Sequence, residues 1–113
     1  MTKPVGPYTP IVRAGDTLYV SGQLGLRDGE LVDGVDAQVR QALANMASLL
    51  ESEGATLNNV VKTTVLLASI DFYDEMNTAY IESFGDHRPA RAAFAVAALP
   101  LAGLVEIEAV AVL

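Results

Sequence analysis

Two stretches of this chain space their apolar residues as helices do, and the runs around them read as strands. Val35, Val39, Leu43, Met46 and Leu50 recur at spacings of three and four, which predicts one buried face on a helix over roughly residues 36–53. Leu49 widens that stripe, and Gln38, Arg40, Gln41 and Glu51 lie largely outside it. Asp33 or Asp36 is the expected N-cap, and Gly54 the left-handed stop. A second helix is predicted over about residues 71–84, with Phe72, Met76, Tyr80 and Phe84 in i, i+4 register, Ser69 or Asp71 as cap and Gly85 as terminator.

The remaining apolar runs are short and rich in β-branched residues. TLYVSGQLG, residues 17–25, follows the turn Ala14-Gly15-Asp16, and Asp28-Gly29 is a second turn signal. A hairpin or strand pair therefore opens the domain. VVKTTVLL, residues 60–67, reads as a strand, and two more are expected over residues 91–98 and 105–113. In the last of these, Glu106 and Glu108 share one face with Val110 and Val112, while Val105, Ile107 and Ala109 share the other. A face mixing two glutamates with two valines is neither plainly solvated nor plainly core, and suits a surface buried by other subunits. The element order β-β-α-β-α-β-β predicts an α+β fold, one mixed sheet of five to six strands with two helices packed on one face.

Composition narrows the function classes. The chain's 113 residues form one expected domain, residues 1–113. Fourteen acidic against seven basic residues give a net charge of −7, and no cluster of basic residues offers a local stripe, so nucleic acid is not an expected partner. No run approaches the roughly 18 apolar residues of a membrane span. The start, Met1-Thr2-Lys3-Pro4, lacks an apolar targeting core and reads as a cytosolic N-terminus. There is no cysteine and one histidine, His87, in a polar loop before a proline. Metal catalysis and a Ser-His-Asp triad are thereby disfavoured, and no metal is expected. Ser21-Gly22-Gln23-Leu24-Gly25 is not a G-x-G-x-x-G turn, so no dinucleotide site follows, and no cofactor is expected.

What remains is a set of polar residues near strand ends. Arg91 opens an otherwise apolar run, where it must be paired or hold a ligand. Its planar fork suits a small carboxylate, and a structural salt bridge to a glutamate is the equal alternative. Glu106 is either a salt-bridge partner at a subunit interface or a group able to move a proton to and from water. Glu108 reads as the more structural glutamate, although the pattern does not rank the two. Tyr8 and Ser21 offer hydroxyls, and Gly22 allows close approach of a ligand to the backbone.

Together these residues form a recognisable series. Pro89-Ala90-Arg91-Ala92-Ala93, then Leu99-Pro100, then Val105-Glu106-Ile107-Glu108-Ala109, resembles the C-terminal signature of the Rid (YjgF-type) family of reactive-intermediate deaminases. Gly6-Pro7-Tyr8, Val20-Ser21-Gly22-Gln23, Val61-Lys62-Thr63-Thr64-Val65, and Asn77 with Tyr80 add matches in order along nearly the whole chain. The resemblance implies a chorismate-mutase-like fold and a homotrimer with sites in the clefts between subunits. It also implies small carboxylate imine and enamine substrates: 2-aminoacrylate with its tautomer 2-iminopropanoate, and 2-iminobutanoate, hydrolysed to 2-oxo acids and ammonia. By the same analogy Arg91 binds the substrate carboxylate, Glu106 positions or activates water, and Tyr8, Ser21, Gly22 and Asn77 line the pocket. Tyr8 is expected to reach across a subunit boundary.

Two departures from the family pattern bear on that expectation. The position two residues after the arginine, a cysteine in many members, is Ala93, which excludes thiol chemistry there. Ala92, Phe94 and residues 101–104 are more apolar than is usual in the family. Alternative readings are a deaminase restricted to one catabolic route and a non-catalytic 2-oxo-acid sensor. Ribonuclease activity, also associated with the family, is disfavoured by the acidic charge and the missing histidine pattern.

Overall fold

A computed structural model describes residues 4–113; Met1 to Lys3, on which most of the expected cytosolic start falls, lie outside the described residues. The chain runs β1 (Ile11–Ala14), β2 (Thr17–Leu24), β3 (Leu26–Arg27), β4 (Glu30–Leu31), α1 (Val35–Glu51), β5 (Val60–Leu67), α2 (Tyr73–Phe84), β6 (Ala90–Ala95) and β7 (Val105–Val112). Both glycine-containing turns close hairpins. Gly15, at φ 61°, links β1 to β2, and Asp28 with Gly29, at φ 55° and 83°, links the small ribbon β3–β4.

Five strands form one mixed sheet in the order β1-β2-β7-β5-β6. Only β5 and β6 are parallel, joined across α2; the other pairs are antiparallel. The last strand of the chain is thus the middle strand of the sheet. Leu18, Val20, Val60, Val65, Leu67, Val105, Ile107 and Ala111 face the helices and form the core with Val39, Leu43, Met46, Leu50, Met76, Tyr80 and Phe84. The expected α+β architecture is what the chain adopts, at five strands. No described helix is long and apolar enough to cross a membrane.

Four local expectations are corrected. The N-cap of α1 is Gly34, at φ 92°, with no side-chain cap bond; a glycine takes that left-handed bend without steric cost, which leaves no role for Asp33 or Asp36. Asp36 instead binds Arg40 at 2.8 Å, and Arg40 reaches Glu82 on α2. The hydroxyl of Ser69 caps a short 3-10 turn over Ile70–Phe72, so α2 proper starts only at Tyr73. The strand expected over residues 91–98 stops at Ala95, where its ladder with Leu67, the last residue of β5, runs out. Gln38, expected mostly outside the buried stripe, is 4% exposed. Its amide donates to Val32 C=O at 3.0 Å and accepts from Leu104 N–H at 2.9 Å, bonding α1 to the segments before it and before β7.

Candidate functional site

The sheet has one face under the helices and one left uncovered, and the predicted site residues divide between them. Cross-strand neighbours share a face. Glu106, Leu66 and Phe94 lie at one level of β7, β5 and β6; Ala109, Thr63 and Arg91 lie at another. Thr63 and Ala109 are buried against the helices, whereas Phe94 is exposed. Within one chain Glu106 and Arg91 therefore point to opposite faces. They are also two strands apart and three residues out of level, ~10 Å in each direction.

Glu106 belongs to a group built around β2. Val20 pairs with Ala109 and Gln23 with Ile107, so Ser21 and Gly22 together stand opposite the single residue Glu108. This bulge turns the backbone of Gly22 toward the next glutamate on the same face. A methyl group at Gly22 would lie 2.5 Å from Glu106 Oε1 and 2.8 Å from its carboxyl carbon, so only glycine leaves this carboxyl its place. Partial burial, with a smaller contribution from the charge of Glu108, raises the Glu106 pKa above the ordinary carboxylate value. A carboxyl so raised is better matched to taking and returning a proton.

Tyr8 and Gly22 line one small hollow with Pro10, Leu24 and Asn45; its volume of about 20 Å³ admits roughly one water. Ser21 donates its hydroxyl to Thr9 C=O at 2.7 Å, and its N–H to Pro10 C=O at 2.9 Å. That pair of bonds ties the segment carrying Tyr8 to the bulge. The hydroxyl of Ser21 is therefore committed as a donor within its own chain and remains free only to accept.

Arg91 belongs to a second group, on α2. Its Nη2 donates to Tyr73 Oη at 3.1 Å, and Nη1 approaches Met76 Sδ at 3.7 Å. The guanidinium carbon lies 4.9 Å from the Tyr80 ring centre and 5.6 Å from that of Tyr73, within the range of cation–π attraction. Asn77 is four residues after Tyr73 and three before Tyr80, hence on the same helical face. Among the described residues the salt bridges are those of Arg40, and none involves Arg91. The alternative of a structural ion pair to a glutamate is thus not what this chain makes, and a part-buried cation is left with neutral neighbours only.

Tyr73, Tyr80 and Thr63 had no assigned role around Arg91 in the sequence. Their relation to it depends on β6 running parallel to β5 beneath α2, and no local spacing encodes that. His87 is explained by structure: its Nε2 sits 2.6 Å from Val60 C=O and must donate there, so it pins the loop before β6. A larger hollow of about 580 Å³, between the β3–β4 ribbon and α1, is lined by Gln23, Arg27, Asp28, Gln41, Asn45 and Ser48. It contains none of the predicted site residues, and the adjacent opposite charges of Arg27 and Asp28 do not single out an anionic ligand.

Comparison with known proteins gives a consistent result. The family model described as Endoribonuclease L-PSP matches residues 1–113. A human protein named 2-iminobutanoate/2-iminopropanoate deaminase is 47% identical over 111 residues, spanning 96% of this chain and 81% of its own length. The crystal structure of RidA from an Antarctic Psychrobacter species superposes with a TM-score of 0.95 at 39% identity, covering 98% of this chain and 92% of that one. The structure of E. coli TdcF with bound serine superposes with a TM-score of 0.93 at 30% identity, covering 97% and 91% respectively. A match over the full length of the chain, high identity and near-complete superposition agree, and the chain belongs to the Rid (YjgF-type) family.

Proposed function

We infer that this protein hydrolyses the imines of small 2-amino acids, 2-iminopropanoate and 2-iminobutanoate with their enamine forms, to 2-oxo acids and ammonia. The observation that carries the reading is Arg91, a part-buried cation held by Tyr73, Met76 and Tyr80 and paired with no carboxylate among the described residues. Such a fork accepts a substrate carboxylate bidentately, because no internal anion competes for it. The human relative named for this reaction supports the substrate class, and the serine bound to TdcF is itself a small amino-acid carboxylate.

The chemistry needs one water and one proton carrier. Water adds to the imine carbon, its proton passing to the Glu106 carboxylate. That proton returns to the nitrogen. As the C–N bond breaks, the hydroxyl of the tetrahedral intermediate gives its own proton to Glu106; this forms the C=O of the 2-oxo acid, frees ammonia and leaves a proton that converts it to ammonium. No electron is gained or lost, and Arg91 and Glu106 between them suffice for binding and proton transfer.

Because one chain aims Arg91 and Glu106 at opposite faces, the site is proposed to form between subunits of a homotrimer. Arg91 and Asn77 would come from one subunit, with Tyr8, Ser21, Gly22 and Glu106 from its neighbour. Residues 1–113 acting as one domain, and a cytoplasmic location, are part of the same reading. The test is to generate 2-iminobutanoate in situ with an amino-acid oxidase and follow its loss against a semicarbazide trap. Acceleration by the wild type that falls by on the order of 100-fold in Arg91→Ala supports the reading. Saturable 2-oxobutanoate binding with no acceleration would replace it with a ligand sensor, and a monomer by light scattering would remove the shared site.

A further inference from the structure

We propose that Tyr73 is a positioning residue for Arg91: it closes an uncharged aromatic clamp that holds the guanidinium ready for carboxylate, and so sets substrate affinity. The proposal rests on the deaminase reading and adds a residue to it.

An arginine on an edge strand starts with considerable rotamer freedom, and a ligand that immobilises it loses affinity by that amount. A neighbouring carboxylate would fix the side chain but would also occupy the donor edge that the substrate needs. Here every contact to the cation is neutral. The guanidinium carbon lies over both rings, 4.9 Å from the centre of Tyr80 and 5.6 Å from that of Tyr73, and the Tyr73 hydroxyl accepts from Nη2 at 3.1 Å. Five N–H donors are available on a guanidinium, and the clamp engages only Nη2 with oxygen and Nη1 with sulfur. The guanidinium is oriented without being neutralised.

The two tyrosines are not equivalent. Tyr80 is a fixed wall: its hydroxyl meets Thr63 Oγ1 at 2.7 Å in the core, and its ring packs on Phe84 with centres 4.7 Å apart. Tyr73 stands at the start of α2, is 37% exposed, and has only Arg91 as a side-chain hydrogen-bond partner among the described residues. It can therefore be altered without opening the core, which makes it the testable half of the clamp.

The experiment measures kcat and KM for 2-iminobutanoate, and calorimetric affinity for the product 2-oxobutanoate, in wild type, Tyr73→Phe and Tyr73→Ala. Each substitution is also made in an Arg91→Ala background, and circular dichroism checks that every variant is folded. We expect Tyr73→Ala to raise KM and weaken 2-oxobutanoate binding about ten-fold, with kcat within about three-fold. Tyr73→Phe, which keeps the ring and loses the hydrogen bond, should lie between. In the Arg91→Ala background the same changes should have no further effect, since the influence of Tyr73 passes through the arginine. An unchanged KM in Tyr73→Ala, or an equal loss with and without Arg91, overturns the proposal. If the wild type itself neither binds 2-oxobutanoate nor consumes imine, it is the deaminase reading that has failed, and the positioning role falls with it.

Discussion

Gly22 and Glu106 are packed so that the hydrogen of one stands where a methyl group would press on the carboxyl of the other, 2.5 Å from Oε1. The contact depends on the bulge that places Ser21 and Gly22 opposite Glu108. Without the extra residue, the period of the strand would turn Gly22 to the helix side.

Gly22→Ala is therefore expected to displace the Glu106 side chain rather than to unfold the sheet. The atoms in the way are the free end of a half-buried glutamate that can swing aside, so stability should fall by at most about 1 kcal/mol by urea unfolding. Imine hydrolysis should fall by at least about ten-fold if the carboxylate is the proton carrier. Unaltered turnover in a folded Gly22→Ala variant would separate Glu106 from the chemistry.

The Glu106 pKa is raised by burial, and further by Glu108, above its ordinary value of 4.5. The folded state thus holds this proton more tightly than the unfolded state does. Its contribution to stability is present below about pH 4.5 and is lost as pH rises through the higher folded value. Glu106→Gln should raise the melting temperature relative to wild type at pH 7 to 8, with the gain shrinking as pH falls below the ordinary glutamate range. A constant difference across that range would show that the carboxyl is not held in its raised state.

Arg91→Ala leaves no carboxylate stranded, because the guanidinium has no acidic partner among the described residues. Stability should change by less than about 1 kcal/mol, whereas breaking a buried ion pair costs roughly 3–5 kcal/mol. Loss of a bidentate charged contact to substrate should lower kcat/KM by on the order of 100-fold. A melting temperature that collapses together with activity would indicate a hidden ion-pair role.

Gln38 gives the complementary case of a polar residue that serves only the fold. Gln38→Leu leaves Val32 C=O and Leu104 N–H, both half-buried, without their partner. The expected cost is roughly 1–3 kcal/mol, seen as a lower urea midpoint, with KM unchanged in the fraction that remains folded. A shifted KM would tie the segment before β7 to the substrate.

Helix α1 and the long strands were legible in the sequence because their signals are local: an apolar period of three and four from Val35 to Leu50, and β-branched runs between glycine turns. Of the candidate site residues, Arg91 and Glu106 stood out as charged residues in apolar strands, whereas Tyr8 and Gly22 became candidates through the family resemblance. The buried state of Gln38 was not legible, because an amide is buried only when distant backbone groups, here Val32 and Leu104, supply its bonds. The early end of β6 was not legible either, since a strand stops where its partner stops.

What the sequence by itself determined is the set of elements, which follows from short-range periodicity, and a list of candidate residues. That list follows from side-chain chemistry for Arg91 and Glu106, and from the family resemblance for Asn77 and the pocket roles of Tyr8 and Ser21. Only the tertiary structure decided how they are arranged. Insertion of β7 between β2 and β5 brings Gly22 against Glu106. The parallel pairing of β6 with β5 puts Arg91 under Tyr73 and Tyr80, on the face opposite Glu106. Strand order and register are fixed by which apolar faces can be buried together across the whole chain, a non-local condition that no window of neighbouring residues contains.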